Sequence, residues 1–572
     1  MAQTEARTQT GTRTIARLWQ DAVAANRSAP AYLVERDGEW REVSWSEAAK
    51  AVDELAHGLL SIGIRKGDSF AILASTTLEW ALFDFALASI GAVAAPIYAN
   101  SSPGDCAHVL DNSDAVGILV EDEAQRAKIA DVALEHVYSF ADFDGLRARG
   151  REHAAEHPHA VEEAAAAIDP EDLFTFIYTS GTTGRPKGCM IRHRNYYAMC
   201  QEAEAANDVL ATDDVLLLFL PLAHNFGRLV HLLGPYLGFT IAFCPDPLRV
   251  AEALPTVRPT VFPSVPRLYE KIHTGVTAAF DAETGAKRKI VDWALRVGKR
   301  VSELRQQGEP IPAVLAAQHR LADKLVYAKV KARLGGRLRV GISGGAPLSK
   351  EILEFFHSLD ILILEGYGLT ECTTAATANR MNAFRFGTVG QPYDGVELKL
   401  ADDGEVLIRT DTVFGGYYKD EAATREVLGD DGWLRSGDIG SIDEDGYLSI
   451  TDRKKDILVT AGGKNVAPQN LENALKSSKY VSQALVVGDR RPYVAALITL
   501  DETETDGGAT TELIQGVVDG VNAKLSRFEQ IKRFTVLPRD FSADLGEVTP
   551  TLKLKRRVCE QHFADEIDAL YR

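Results

Sequence analysis

Leu173-Phe174-Thr175-Phe176-Ile177 runs straight into Tyr178-Thr179-Ser180-Gly181-Thr182-Thr183-Gly184-Arg185-Pro186-Lys187-Gly188, and this junction decides how the rest of the chain is read. The first five residues have the apolar texture of a buried strand. Small hydroxyl residues and glycines follow, then a lysine. Glycines let a backbone approach a ligand and turn its N–H groups inward, hydroxyls donate further bonds, and lysine adds a point charge. A loop of this kind at the end of a strand is suited to phosphate. It is not a Walker A loop, which needs Gly-Lys-Ser/Thr at a helix start; Lys187 follows Pro186 and precedes Gly188. The reading is a flexible flap over a triphosphate. A plain surface turn would explain a four-residue match better than it explains eleven residues of this composition directly after a strand.

Working outward, strand and helix alternate on both sides of the loop. Upstream, Tyr32-Leu33-Val34 and 40–43 form a hairpin around Asp37-Gly38, and Ser44 with Glu47 makes a capping-box pattern. Strands at 70–73, 93–98 and 116–120 and a helix at 76–90 indicate an α/β sheet. Downstream, the strand 215–220 ends in Pro221-Leu222-Ala223-His224, where open sheets place ligands. His224 is as readily a satisfied core histidine. Strands 338–342 and 359–364 run into Ser343-Gly344-Gly345-Ala346-Pro347 and Glu365-Gly366-Tyr367-Gly368-Leu369-Thr370-Glu371. Between these series, residues 280–334 read as a basic helical insert. Its core stripes would be Ile290, Trp293, Ala294, Val297, Val301 and Leu304, then Leu315, Ala322, Leu325, Val326 and Val330. Its charged faces read as solvated, though such helices also sit on anionic lipid. Past residue 385 short strands with Asp-Gly turns suggest a small β-barrel, and from 453 the pattern becomes mixed α+β.

Composition excludes several classes. The 572 residues are 45% hydrophobic and 25% charged, ordinary for a soluble globular protein with several packing units. A net charge of −18 argues against general nucleic-acid binding. The six cysteines are scattered without a C-x-x-C pair, which suits a reducing cytosol and neither a zinc site nor a disulfide framework. Residues 1–17 carry no apolar signal core. His153-Ala154-Ala155-Glu156-His157 matches an H-x-x-E-H zinc pattern, but Pro158 follows at once and no apolar stripe supports it, so it reads as a solvated linker helix.

Taken together, these motifs resemble the acyl-adenylate-forming superfamily of acyl-CoA synthetases, adenylation domains and luciferases. The long-chain fatty-acyl-CoA synthetase branch is the nearest in pattern, on the insert, the run from Thr451 to Pro468 and the tail 545–557. The resemblance implies an α/β protein: a large N-terminal domain (1–452) of two α/β sheets plus a small β-barrel, and a smaller mobile α+β C-terminal domain (453–572). It implies ATP-dependent ligation of a fatty acid to coenzyme A through acyl-AMP, with AMP and pyrophosphate released. By the same resemblance, Thr179, Ser180, Gly181, Thr182, Thr183, Gly184 and Lys187 bind the β- and γ-phosphates. Gly344, Gly345 and Ala346 line the adenine, with Glu365, Gly366, Tyr367 and Gly368 beside it and Tyr367 stacking on the base. Thr370 donates to the α-phosphate, Glu371 holds Mg²⁺, Asp438 takes the ribose hydroxyls, and Arg453 stands next to it. His224 borders the acyl and nucleotide pockets as a positioning group.

The resemblance also implies a lysine from the C-terminal domain that bridges carboxylate and α-phosphate. Lys553 is the aligned choice and Lys555 the reserve, because Thr551-Leu552 replaces the commoner Ser-Gly before it. Arg556 and Arg557 read as surface charge. The hinge falls within 452–456 with Lys455 as pivot, and Lys464, with Arg490 and Arg491, is placed for CoA. Partners are then small molecules and no nucleic acid, in the cytoplasm, with peripheral membrane contact and a homodimer both left open. Two other activities stay open at this point: an acyl-AMP ligase that loads a carrier protein, and a CoA ligase for a shorter or aromatic acid.

Overall fold

The computed structural model describes residues 12–179, 185–206, 209–501, 511–542, 545–549 and 553–572. The first of two large sheets has six strands in the order His136–Ser139, Ala115–Val120, Ser69–Ala74, Val93–Tyr98, Leu173–Thr179 and Lys187–Arg192. Its pairings are parallel except the last, which is antiparallel. Ser69–Ala74 is buried along its whole length, as expected of a parallel strand covered on both faces. The second sheet has nine strands, parallel from Leu362–Tyr367 through Val340–Ser343, Val261–Ser264, Val215–Leu218 and Thr240–Phe243 to Tyr32–Arg36. Antiparallel strands close both edges. The Tyr32–Arg36 hairpin turns through Asp37 and Gly38, both at positive φ (54° and 79°), which suits the twist of the paired strands. Ser44 and Glu47 form the capping box that starts the helix Trp45–Ser61.

The helix Leu78–Ser89 lies between the two sheets and is buried on nearly every side. It carries one charge, Asp84, apart from Glu79. Asp84 accepts from Arg228 Nε at 3.0 Å and Nη2 at 2.5 Å, and both residues are fully buried. The guanidinium lies between the rings of Trp80 (4.8 Å) and Phe174 (4.9 Å), so it is paired, stacked and desolvated at once. This contact joins the helical layer of the first sheet to the helix Asn225–Leu233 of the second. Removing one partner strands a buried charge: Asp84→Ala should cost about 3–5 kcal/mol of unfolding free energy, while Asp84→Leu with Arg228→Met should recover most of it. Urea midpoints of the three proteins check this.

Residues 397–453 form an antiparallel meander, Glu397–Leu400, Glu405–Arg409, Leu434–Ile442 and Leu448–Arg453. This is the unit expected as a small β-barrel, and the outer edge of its last strand is hydrogen-bonded as well. Val389 N donates to Leu448 O and Leu448 N to Gly390 O, both at 2.8 Å, tying the meander to the end of the nine-stranded sheet. The C-terminal part is α+β: a small hairpin (Leu458–Val459 with Asn465–Val466), then Val481–Val487, Val494–Leu500 and Ile531–Val536 in one sheet, with helices Pro468–Lys476, Thr511–Asn522, Arg556–His562 and Ala564–Ala569. It meets the large domain through polar groups. Arg267 donates to Ser482 O and Oγ at 2.7 Å, Lys479 pairs with Asp281 at 2.9 Å, and Lys476 faces Glu270 at 3.4 Å.

Three local expectations change. The helix Phe143–Glu156 is packed, not a linker: its Gly150 sits so close to Trp45–Ser61 that a Cβ would lie 1.8 Å from Glu54 O, and His153 Nδ1 is 2.9 Å from His57 Nδ1. In the insert, Ile290 and Leu325 point outward (39% and 42% exposed), and Val291 takes the core position beside Ala294. Arg556 is no surface charge. Largely buried, it donates to Glu472 Oε1 and Val486 O at 2.6 Å.

Candidate active site

The opening loop connects two adjacent antiparallel strands, with Thr179 paired to Lys187 at its base. Ser180, Gly181, Thr182, Thr183 and Gly184 lie outside the described residues. The second strand of this hairpin is gripped on its other edge as well: Met190 N donates to Gly416 O (2.9 Å), Gly415 N to Met190 O (2.8 Å) and Tyr418 N to Gly188 O (2.8 Å). The hairpin context also explains why Lys187 opens a strand and no helix. Its ammonium is 5.1 Å from the centre of the Tyr417 ring and 3.5 Å from Asp420 Oδ2. Tyr417 Oη in turn donates to Glu371 Oε1 at 2.5 Å. One tyrosine therefore touches both the loop lysine and the carboxylate of the second sheet, a link the sequence reading missed. Its signal was there, in the run Gly415-Gly416-Tyr417-Tyr418, but nothing local said that this run pairs with residues 188–190.

The ends of the central strands of the nine-stranded sheet supply the next wall. Ser343 ends Val340–Ser343, and the exposed Gly345 and Ala346 follow, with Gly345 at φ +84°. Glu365 is buried and accepts from Leu348 N at 3.0 Å; burial pushes its carboxyl up to about 8, against the pull of that hydrogen bond. It therefore braces the turn after Gly344 to Ala346. Gly366 is close to its neighbour strand, and Gly368 could not carry a side chain, since a Cβ would fall 2.0 Å from Thr374 O. Tyr367 Oη donates to Asp438 Oδ2 at 2.7 Å, and Arg453 Nε lies 3.2 Å from Asp438 Oδ1. Asp438 and Arg453 sit directly across the meander from each other. Each carboxylate oxygen of buried Asp438 keeps a further lone pair for a ligand hydroxyl. Thr370 is buried one residue before Glu371.

His224 caps the helix Asn225–Leu233, its Nδ1 accepting from Phe226 N at 3.2 Å. Burial, with Lys553 nearby, lowers its imidazolium to about 3. It is thus a neutral ring whose Nδ1 is occupied, which fits positioning and not proton abstraction. Lys553 arrives from the C-terminal domain. Its ammonium lies within electrostatic reach of His224, Arg453, Asp438 and Glu371. Desolvation, then repulsion from Arg453, lowers it to about 8, opposed by the two carboxylates. The backbone around it is held by Thr549 N→Lys553 O at 2.7 Å and Lys555 N→Glu547 O at 2.8 Å. Glu547 is fully buried under a bidentate grip from Arg539 at 2.6 Å, with His562 and Ser542 adding bonds that keep its carboxyl at about 2. This buttress was not foreseen. Lys555 instead begins the helix Arg556–His562.

Lys464 is not part of this cluster. It is exposed in the turn of the small C-terminal hairpin, with its ammonium 5.8 Å from the centre of Phe528. Arg490 is exposed and Arg491 pairs with Asp568 at 2.6 Å. Lys455 is exposed at the junction of the domains. Asp452 beside it is buried, accepts from Arg453 N and Gln469 N (2.7 and 2.9 Å), and is pushed up to about 6 by burial.

Cations at two ends, a neutral imidazole and two carboxylates can hold a polyphosphate nucleotide and bring a second anion to it. Among the described residues, no group of three or more His, Cys, Asp or Glu could hold a metal alone. A half-buried lone carboxylate such as Glu371 fits Mg²⁺, which keeps most of its shell as water and substrate phosphate oxygens.

Residues 19–418 match the AMP-binding enzyme family, and residues 455–572 match the AMP-binding enzyme C-terminal domain. The long-chain-fatty-acid–CoA ligase FadD15 of Mycobacterium tuberculosis is 38% identical over 95% of this chain and 95% of its own length. The long-chain-fatty-acid–CoA ligase ACSBG2 of Xenopus laevis is 31% identical over 98% of this chain and 84% of its own. Among solved structures, the anthranilate CoA ligase AuaEII in complex with anthranoyl-AMP superposes with a TM-score of 0.77 at 20% identity, covering 98% of this chain and 99% of that one, a likeness of fold. The two family models together span nearly the whole chain, and the chain belongs to the AMP-binding enzyme family.

Proposed function

We propose that this protein is a long-chain fatty-acid–CoA ligase that works through acyl-AMP. The observation that carries the proposal is the near full-length match to enzymes of that name, and the gathering of Lys553, Glu371, Asp438, Arg453 and His224 around one cleft supports it. ATP lies with its adenine against residues 344–346 and 365–368 and its ribose on Asp438. Its β- and γ-phosphates sit under the loop that Lys187 closes. Bound Mg²⁺, held by Glu371, would neutralise phosphate charge. The fatty-acid carboxylate attacks the α-phosphate, and pyrophosphate leaves. Two anions must meet in this step, so the main task is electrostatic, and Lys553 stands where it can face both. No side chain serves as nucleophile or base. For the thioester step the C-terminal domain rotates about 452–456, with Lys455 as pivot, to bring Lys464 toward CoA.

The test is AMP release with purified enzyme, ATP, free CoA and acids of graded length. Palmitate-like acids should give CoA-dependent AMP release and an acyl-CoA product. Turnover confined to short or aromatic acids, or with a carrier protein in place of CoA, would reject the proposal. Tyr417 provides a finer check. Tyr417→Phe keeps the ring over Lys187 and deletes the bond to Glu371, a charged hydrogen bond worth about 1.5–3 kcal/mol. Pyrophosphate exchange into ATP should slow by roughly ten-fold or more, with a raised Mg²⁺ requirement, whereas Tyr417→Ala should lose the Lys187 contact too and fall further.

A further inference from the structure

The helix running through Ala313–Ala322, Asp323–Tyr327 and Ala328–Arg333 is apolar on two sides. Its inward side is ordinary, with Ala322, Val326, Tyr327 and Val330 buried. On the opposite side Val314, Leu321 and Leu325 are 73%, 50% and 42% exposed. Their spacing, seven residues and then four, sets them on one line along the axis, and the exposed Ala328 and Ala332 extend it. Exposed cations border this line on both flanks: Arg320 and Lys324 on one, Lys329 and Arg333 on the other. The single carboxylate of the helix, Asp323, is taken by Lys331 at 2.8 Å, and among the described residues no ion pair engages the four bordering cations. In a chain of net charge −18 this is an outward strip of apolar side chains between unopposed positive charges, about 27 Å long.

We propose that this face seats the protein on an anionic lipid bilayer. The valine and leucines would enter at the headgroup–acyl boundary, and the cations would lie among the lipid phosphates with their aliphatic stems on the apolar side. A second copy is a poor occupant, because two such faces would set eight cations against each other. A nucleic-acid backbone would leave the apolar line without a partner. The proposal goes beyond the ligase reading, and its assay contains no substrate, so the two stand or fall separately.

The experiment is sedimentation of the full chain with phosphatidylcholine vesicles, with and without about a third phosphatidylglycerol. Binding should require the anionic lipid and weaken with salt. Arg320→Gln with Lys324→Gln should lower the partition coefficient about thirty-fold, and Leu321→Ser with Leu325→Ser roughly ten-fold or more. Both pairs should keep the parental circular dichroism and thermal unfolding midpoint, which shows the fold intact. Equal binding to neutral vesicles, or variants that bind like the parent, would overturn the proposal. So would absence of binding, which would leave the face to an acidic protein, or a dimer dissociated by the leucine substitutions, which would assign it to a second copy.

Discussion

Lys553→Ala should lower the rate of acyl-adenylate formation by ~10²–10³, the usual cost of one transition-state donor, while attack of CoA on preformed acyl-AMP changes little. The structure makes the reason concrete. The ammonium enters a cleft that already holds Arg453, Asp438 and Glu371, and only the protonated form can draw two anions together. Its value of about 8 gives a pH signature. The cation is present below that value and lost above it, so kcat/KM of the adenylation half-reaction, which reports the free enzyme, should fall about ten-fold per unit above pH 8. Lys553→Arg keeps its charge at any accessible pH; whatever activity it retains should show no such limb. Pyrophosphate exchange at graded pH measures both. A Lys553→Ala enzyme that exchanges pyrophosphate at the parental rate would remove this residue from the chemistry.

Lys187→Ala should cost on the order of 10² in the same half-reaction, chiefly in the ATP-dependent part, and again spare the thioester step. The lysine rests against Asp420 and the Tyr417 ring, partners weak enough to be exchanged for phosphate. The comparison that isolates it is Lys187→Ala beside Asp420→Asn: the first removes the phosphate contact, whereas the second frees the lysine and should leave ATP binding equal or tighter. Single-turnover measurements starting from ATP and from synthetic acyl-AMP separate the steps. Equal damage to both half-reactions by Lys187→Ala would contradict the assignment.

Much of this site was legible because its chemistry is written locally. The strand ending at Thr179, the Glu365 to Glu371 run and Asp438 each carry a strand, a turn and a functional group within a few residues. What could not be read is what depends on distant pairing. Tyr417 reaches Glu371 only because residues 415–418 lie along the edge of the Lys187 strand. Glu547 steadies the Lys553 segment through Arg539 and His562, which no periodicity announces. The small β-barrel unit shows the same limit: short strands and Asp-Gly turns mark its strands, but not that Val389 and Gly390 bond along its last edge. The outward leucine of the insert misled in another way, since a helix apolar on two sides offers two stripes and the sequence does not say which faces in.

The polar seam between the domains has a kinetic meaning. Arg267 with Ser482, Lys479 with Asp281 and Lys476 with Glu270 hold the C-terminal part where Lys553 meets the cleft. The three basic side chains and Glu270 are largely buried there and Asp281 is about half exposed, and charged groups of this kind regain hydration when they part. On the proposed two-step cycle the segment that carries Lys553 is thereby fastened in part by polar pairs, so the dwell time of the adenylating state should shift when Lys476, Lys479 or Asp281 is substituted, far from the reacting atoms.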